Sequence, residues 1–420
     1  MSLVDRYVSC GTGAPARPAA RPARRVYLDN NATTRVDPRV VAEMVPYLSE
    51  MYGNPSSLHS FGAEANAAER RAVERLYNLV GADDRDTVLL TSGASESNNT
   101  VVKGVFDVAS ARARKTGKRP QFLTSNVEHP SIRNTFRHLE RLGADVVFLP
   151  VNSDGIVTPS VLEKAIDRDR VALVSLMWAY NETGIVNPIA DLARTAYACG
   201  ALFHTDATQA YGRLPRASAS CRAAGVDFAS LSAHKFHGPK GVGALYIRAG
   251  DATHTITRAA PLLHGGEQLA GLRAGTLNVP GAVGIGAAAS LVSDDDLPRI
   301  RALRDRLEDG ILRRVRACSA IGSRDVRVAN TALTTVDGVE GEALIYELDR
   351  FGVAASTGSA CASGSLEASA AVVAVKGAKS AHTAVRLSLS RFTTPEDIDT
   401  AVDALERSVS RLRSFTTVLV

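Results

Sequence analysis

Short apolar segments of strand length alternate with helical segments between residues 61 and 248. Residues 61–81 have the apolar spacing of an amphipathic helix that ends at Gly81, and residues 94–115 form a second predicted helix. The apolar segments read TVLLTSG, QFLTSN, DVVFLP, VALVSLMW, ALFHTD, DFASLS and GALYIR. Because helices lie between most of these segments, the pattern predicts a mostly parallel sheet covered on both faces, which is an α/β fold.

The pattern changes after about residue 276, where a smaller α+β domain is predicted. The predicted elements there are a polar helix at 295–317, a strand near 326–336, a helix near 340–350, a strand at 384–390 and a helix from 395.

Residues 1–25 carry most of the excess positive charge. The chain has a net charge of +5, and this segment has five arginines against one acid, Asp5, so it contributes +4. The remainder is nearly neutral, which argues against a nucleic-acid-binding face. The segment is rich in Pro and Ala and cannot bury a core, so it is predicted to be disordered. Its prolines also interrupt the amphipathic helix that an organelle-targeting sequence needs.

The bulk composition is that of a cytoplasmic protein. No segment approaches the roughly 20 apolar residues of a membrane-spanning helix, so no membrane association is predicted. The cysteines are odd in number and form no CxxC pair, which argues against a disulfide framework or a thiolate zinc site. They stand at positions 10, 199, 221, 318 and 361.

Cys361 lies in the segment STGSACASGS, residues 356–365, among Ser, Gly and Ala. A buried cysteine acts as a small apolar residue and ordinarily has apolar neighbours. These neighbours favour a reactive thiol that solvent can reach, although a packed thiol stays open as the alternative.

Polar residues follow five of the predicted strands, at the edge where open parallel sheets bind their ligands. Residues 92–95, Ser-Gly-Ala-Ser, open a helix and suit a phosphate, with a simple N-cap as the alternative. The other four strand ends carry Glu128-His129, Tyr180-Asn181-Glu182, Asp206 with Gln209, and Ala233-His234-Lys235.

Lys235 and Asp206 indicate pyridoxal 5′-phosphate (PLP) chemistry. A neutral lysine amine forms Schiff bases, and a carboxylate holds a pyridine nitrogen protonated so that the ring accepts electrons. Two other interpretations are weaker. His234 and His237 lack a third zinc ligand at a suitable spacing, so no metal is predicted. Residues 238–243, GPKGVG, lead into a strand and not into the helix that a nucleotide-binding loop precedes.

From about residue 26 to residue 415 the chain resembles cysteine desulfurases of the NifS/IscS group, within the class V PLP enzymes of fold type I. The matching stretches are VYLDNNATTRVDP, YGNPSSLHSFG, TSGASESNN, VEHPSI, VSLMWAYNETG, LFHTDATQAYG, SLSAHKFHGPKGVGALY, LRAGT, STGSACASGSLE and VRLSLSRFTT. The length of the cysteine segment resembles the NifS/IscS subgroup rather than the subgroup with a shorter loop.

The resemblance implies the catalytic roles. Lys235 corresponds to the Schiff-base lysine, and His129 to the imidazole that stacks on the cofactor ring and assists proton transfers. Asp206 corresponds to the partner of the pyridinium nitrogen. Cys361 corresponds to the cysteine that forms a persulfide, and Arg386 to the arginine that binds the substrate carboxylate.

The resemblance also implies the remaining binding residues. Asn181 and Gln209 correspond to residues near the ring hydroxyl, and Asn181 also contacts the substrate carboxylate. The phosphate ligands correspond to Ser95, Ser232 and His234, with backbone from the region of Ala94. Thr276 corresponds to a phosphate ligand supplied by a second subunit, which implies a homodimer.

The implied activity is the conversion of L-cysteine to L-alanine with transfer of sulfur to Cys361. An acceptor or scaffold protein then takes the sulfur, with iron–sulfur cluster assembly as the expected destination. The domain bounds expected with this fold are a tail at 1–25, a segment at 26–38 packing with the small domain, a large domain at 39–276 and a small domain at 277–420.

Two other functions stay open. Selenocysteine lyases share the fold and most of the site. A non-catalytic interaction subunit is disfavoured because Lys235, Asp206, Arg386 and Cys361 are all present. The chain also departs from the usual family pattern, and these changes bear on acceptor choice and turnover more than on cofactor binding. They are Tyr180, which stands where the family usually has Asn, Leu269-Ala270, and residues 368–380.

Overall fold

The computed structural model of the chain describes residues 24–253, 256, 260–357 and 369–416. These residues divide into two compact units. The large unit comprises Thr33–Asn181 and Ile185–Leu297, and the small unit comprises the described residues up to Ala32, Glu182–Gly184 and those from Pro298 onward. Cys361 and most of the predicted tail lie outside the described residues. The domain bounds expected from the sequence stay a prediction.

The described residues of the large unit form a seven-stranded sheet in the order β2-β8-β7-β6-β5-β3-β4. The predicted α/β class with a mostly parallel sheet is confirmed. The strands are β2 (Thr87–Thr91), β3 (Gln121–Ser125), β4 (Asp145–Leu149), β5 (Val171–Ser175), β6 (Leu202–Asp206), β7 (Phe228–Ser232) and β8 (Gly243–Ile247).

One strand of this sheet runs against the others. β8 is antiparallel to both β7 and β2, whereas β3 to β7 pair in parallel. The reason is the connection between β7 and β8, which is residues 233–242 alone. A parallel crossover needs a dozen or more residues, so this connection turns the chain back as a hairpin. Lys235 therefore lies in a hairpin connection.

Both faces of the sheet are buried. Successive strand residues alternate between two apolar clusters: Leu123 and Val174 belong to one, and Phe122 and Leu173 to the other. Helices cover these faces, as the continuous apolar strands predict. They are α1 (Pro38–Met44), α2 (Pro46–Ser49), α3 (Ser60–Val80), α4 (Ala94–Thr116), α5 (Pro130–Arg141), α6 (Pro159–Ala165), α7 (Ile189–Ala198) and α8 (Val279–Ser290).

The small unit contains a three-stranded antiparallel sheet in the order β12-β10-β9 and a parallel pair, β1 with β11. β1, β9 and β11 were not predicted, because two or three residues are too few to show a strand period. None of the helices in the described ranges is long and apolar enough to span a membrane. The elements are β1 (Val26–Tyr27), α9 (Asp296–Arg314), β9 (Cys318–Ala320), β10 (Thr331–Val336), α10 (Gly341–Arg350), β11 (Val353–Ala354), α11 (Ala370–Lys376), α12 (Ala378–Ala381), β12 (Ala384–Ser388) and α13 (Pro395–Thr416).

Hydrogen bonds attach the first described segment to the small unit. The Asn30 side chain donates to Ser388 O at 2.8 Å, and Asn31 N donates to Ser388 Oγ at 2.9 Å. The Asn31 side chain donates to Thr331 Oγ1 at 2.9 Å and accepts from the Asn330 side chain at 3.0 Å. Buried amides satisfied in this way fix the register of the segment that contains Asp29.

We predict that Gly243→Ala destabilises the large unit. A Cβ at this position would lie 2.6 Å from Gly93 Cα, so β8 or the turn before α4 must move. Overpacking of this kind costs about 1–3 kcal/mol. Gly250→Ala is the control, because Gly250 is exposed and the atom nearest to an added Cβ, Thr253 Oγ1, would lie at an ordinary contact distance of 3.5 Å. Urea unfolding measures both variants, and equal or smaller destabilisation by Gly243→Ala would contradict the prediction.

Candidate active site

The turn that carries Lys235 is clamped by Thr34. β7 ends at Ser232, and residues 233–235 form a single 3-10 turn. Thr34 Oγ1 donates to His234 O at 2.9 Å and accepts from His237 N at 2.8 Å, so one hydroxyl spans Lys235. Thr34 N also donates to His234 O at 2.8 Å. These bonds hold the backbone of a turn in which His237 has a φ of 69°, a conformation unusual for a non-glycine residue.

His234 is a neutral side chain in this structure. Burial, together with the nearby charges of Lys235 and Lys240, lowers its pKa to about 4. Its Nδ1 lies 3.1 Å from Thr33 Oγ1. At neutral pH the ring would therefore meet a phosphate as a hydrogen-bond donor and not as a cation.

The turn before α4 lies beside the end of β7. Ala94 and Ser95 are the first residues of α4, and a Cβ added to Gly93 would lie 3.5 Å from Ser232 Oγ. Glu96 accepts from Ser92 N at 2.7 Å and pairs with Arg273 at 3.0 Å. A helix N-terminus next to a serine hydroxyl can hold a phosphate group.

A hydrogen-bonded network connects Asp206 with His129. The Asn98 side-chain amide donates to Asp206 Oδ2 at 2.8 Å and to Ser131 Oγ at 2.9 Å. Ser131 Oγ lies 2.8 Å from His129 Nδ1, and Ser131 N donates to the same nitrogen at 3.2 Å. The other oxygen of Asp206 accepts from Thr208 N at 3.0 Å. The network thus joins the ends of β3 and β6 through one side chain of α4.

This network determines the protonation of His129. Because Nδ1 accepts from Ser131 N, the proton of the neutral ring lies on Nε2. Burial lowers the pKa of His129, while the nearby Asp206 raises it and Lys235 lowers it. His129 is therefore neutral at neutral pH and presents an N–H at Nε2. Both Asp206 and Lys235 are close enough to act on it electrostatically.

The structure places the other predicted residues as follows. Gln209 is buried just after β6, and Asn181 ends the first stretch of the large unit. Thr276 is exposed in the single chain. Arg386 lies on β12 of the small unit, and Cys361 lies outside the described residues. The roles assigned to these residues from the sequence stay predictions.

Glu128 is a buried acid to which the sequence assigned no role. Its Oε1 accepts from Ser125 Oγ at 2.9 Å and from Met177 N at 3.0 Å, so it joins the last residue of β3 to the segment that follows β5. Its Oε2 is buried without a partner among the described residues. Burial raises the pKa of Glu128 to about 8. A mostly neutral acid next to His129 thus holds two neighbouring strand ends together.

Tyr180, where the family usually has Asn, lies in the same buried region. Its hydroxyl accepts from the Asn187 side chain at 2.9 Å, and that amide also donates to Met177 O at 2.8 Å. Burial raises the pKa of Tyr180 well above the usual value for a phenol, and Glu128 raises it further. The larger side chain is therefore accommodated as a neutral, hydrogen-bonded group directly before Asn181.

We predict that Glu128→Gln removes a pH dependence of stability. The folded pKa near 8 lies above the usual 4.5. Glu128 therefore favours folding most below about pH 4.5, and this stability is lost as the pH rises towards 8. In urea unfolding, the free energy of unfolding of the Gln variant should rise relative to that of the wild type between pH 5 and 8, by on the order of 1 kcal/mol per pH unit. The exposed Glu140, changed to Gln, is the control, and parallel curves for wild type and Glu128→Gln would contradict the prediction.

Comparison with known proteins identifies the family. The aminotransferase class-V model matches residues 26–401. A cysteine desulfurase of Cereibacter sphaeroides is 46% identical over 396 residues, covering 93% of this chain and 97% of that protein. One of Gluconacetobacter diazotrophicus is 42% identical over 395 residues, covering 93% and 94%. A solved structure named as a NifS-like protein has a TM-score of 0.83 at 35% identity, covering 93% of this chain and all of that one. The resemblance predicted from the sequence is confirmed, and this chain belongs to the PLP-dependent aminotransferase class-V family and, within it, to the cysteine desulfurases.

Proposed function

We propose that this protein converts L-cysteine to L-alanine and carries the released sulfur on Cys361 as a persulfide, as a homodimer in the cytoplasm. An acceptor or scaffold protein takes the sulfur for iron–sulfur cluster assembly. The observation that carries the proposal is the arrangement of Asp206, His129 and Lys235. These three residues end or follow separate strands, yet Asp206 and Lys235 both act on the pKa of the buried His129.

The residues of the large unit fit PLP. Thr208 Oγ1 and Asn98 Oδ1 flank Asp206 and are buried without a partner among the described residues, so polar ligand atoms would satisfy them. Gly93 leaves open the space beside Ser232 that a side chain would enter. The residues that would hold the cofactor are Lys235, Asp206, His129, Asn181, Gln209, Ala94, Ser95, Ser232 and His234, with Thr276 from a second copy.

When bound, PLP supplies an electron sink for charge that develops on the substrate. The chain supplies the proton transfers and the orientation. Asp206 would keep a proton at the ring nitrogen of bound PLP, and its own position is fixed by Asn98 and Thr208 N. The amine of Lys235 would remove the proton from Cα of the substrate, and the N–H at His129 Nε2 would be available as a hydrogen-bond donor.

Sulfur transfer then requires the thiolate of Cys361. It attacks the substrate sulfur, a new S–S bond forms and the Cβ–S bond breaks, with its electron pair staying on carbon. Protonation of that carbon and return of a proton from Lys235 to Cα complete L-alanine, and the sulfur stays on Cys361 as a persulfide. Because an unperturbed thiol has a pKa of about 8.5, only a few per cent is ionised at pH 7.

The comparisons favour this activity over the two alternatives, since the relatives reported above carry the name cysteine desulfurase. The presence of Lys235, Asp206, Arg386 and Cys361 argues against a subunit without chemistry. Parallel turnover assays with L-cysteine and L-selenocysteine separate the proposed activity from that of a selenocysteine lyase.

We predict that Cys361→Ser separates cofactor chemistry from sulfur transfer. The variant should keep the yellow colour of bound PLP and its affinity for L-cysteine, while sulfide release falls by orders of magnitude. A hydroxyl cannot hold a persulfide, whereas the buried Cys221 of the control variant Cys221→Ser is not expected to take part. Release of labelled sulfur and mass-spectrometric mapping of the persulfide measure both. Near-normal turnover by Cys361→Ser, or persulfide on another cysteine, would contradict the proposal.

We predict that sites are shared between two copies of the chain. The exposed side chain of Thr276 supports this assignment. A dimer of one Lys235→Ala chain and one Thr276→Ala chain would contain one site free of both changes. At limiting PLP, such mixed dimers should recover a site with wild-type cofactor affinity that neither parent has. Verified mixed dimers without such a site would contradict a phosphate contact from the second copy.

A further inference from the structure

Arg386 already has a carboxylate partner within the small unit. Its Nη2 lies 2.7 Å from Asp29 Oδ1, and its side chain is only 1% exposed, against 19% for Asp29. A buried guanidinium requires a counter-charge, because leaving it uncompensated is strongly unfavourable. Asp29 supplies that charge. The sequence analysis did not assign Asp29 to the site.

The Asp29 carboxylate is held in place by the backbone around it. β1 pairs with β11, and Asp29 forms a parallel bridge with Ser388 on β12. Asn30 and Asn31 both form hydrogen bonds to Ser388. Arg386 is two positions before Ser388 on β12, and alternate residues of a strand share a face. Pairing with Ser388 therefore keeps Asp29 beside the Arg386 side chain.

The backbone of Arg386 is also fixed. Arg386 N donates to Ser356 O at 2.7 Å, and Ser356 N donates to Arg386 O at 3.2 Å. The guanidinium and the Asp29 carboxylate therefore form a preorganised pair, because the backbones of both residues are held by pairing with neighbouring strands. A second carboxylate that binds Arg386 must do so in the presence of the first, and two like charges on one guanidinium repel each other.

We propose that Asp29 is a positioning residue that competes with the carboxylate of the bound amino acid for Arg386. This inference rests on the proposed function, which assigns the substrate carboxylate to Arg386. With Asp29 in place, Arg386 is already compensated, so a ligand carboxylate gains only part of the attraction. Asp29 thereby weakens carboxylate binding and favours release of L-alanine.

Asp29→Asn tests this idea, because the amide keeps an acceptor oxygen for Arg386 but removes the charge. The probes are L-alanine and L-alaninamide, which lacks the carboxylate, titrated into the PLP-loaded protein by calorimetry. We expect Asp29→Asn to lower the Kd of L-alanine about tenfold. The Kd of L-alaninamide should change much less, and the KM for L-cysteine should fall. Asp29→Glu, which keeps the charge, is the matched control.

The ratio of the two Kd values separates competition from a structural role. If Asp29→Asn raises the Kd of L-alanine, or changes the Kd of both ligands by the same factor, the inference is overturned. Should the Asn variant be insoluble, Asp29→Ser removes the same charge and carries the same expectation. Arg386→Gln tests the underlying assignment separately. If that change leaves the Kd of L-alanine unaltered, the assignment of the substrate carboxylate to Arg386 fails, whatever Asp29 does.

Discussion

The hydrogen bond between Asn98 and Asp206 is the interaction on which the arrangement of the large unit's site depends. One amide from α4 donates both to the carboxylate at the end of β6 and to Ser131, which in turn contacts His129. Asn98 and Ser131 thus connect Asp206 with His129, which follow different strands of the same sheet. The Ser131 N–H that donates to His129 Nδ1 determines that the proton of the neutral ring lies on Nε2, and hence which kind of contact the ring offers.

The position of Lys235 has a different origin, which is the length of the chain between β7 and β8. Residues 233–242 are too few for a parallel crossover, so β8 returns beside β7. The lysine then lies at the sheet edge where β6 and β7 end. Thr34, about 200 positions earlier, fixes the turn by bonding to both sides of the lysine. A local property and a long-range contact together determine this one side chain.

The features of the fold that could be predicted from the sequence are those that produce an apolar periodicity or place polar residues at strand ends. Local sequence patterns predict the apolar strands, the polar residues after five of them and the helix that ends at Gly81. The end of that helix is a local feature because its cap needs only the left-handed φ of 67° that glycine adopts readily. Contacts between residues far apart in the chain could not be predicted in this way, because no local pattern marks them. Asp29 and Arg386 are 357 positions apart, and Thr34 and His234 are 200 apart. The sequence shows Glu128 next to His129, but only the fold shows that its carboxyl group joins β3 to the segment that follows β5.

The large unit's site is built so that burial neutralises several groups whose charge would otherwise compete. Burial lowers the pKa values of His129 and His234 and raises that of Glu128, so near neutral pH these three side chains are wholly or mostly uncharged. A charged ligand therefore meets few competing charges from these groups. The small unit uses the opposite arrangement, because Arg386 is buried together with a fixed carboxylate. Neutral surroundings strengthen the attraction for an arriving anion, whereas a compensated arginine limits it. Under the proposed function, the first property serves the binding of a cofactor phosphate and the second serves the release of a product carboxylate.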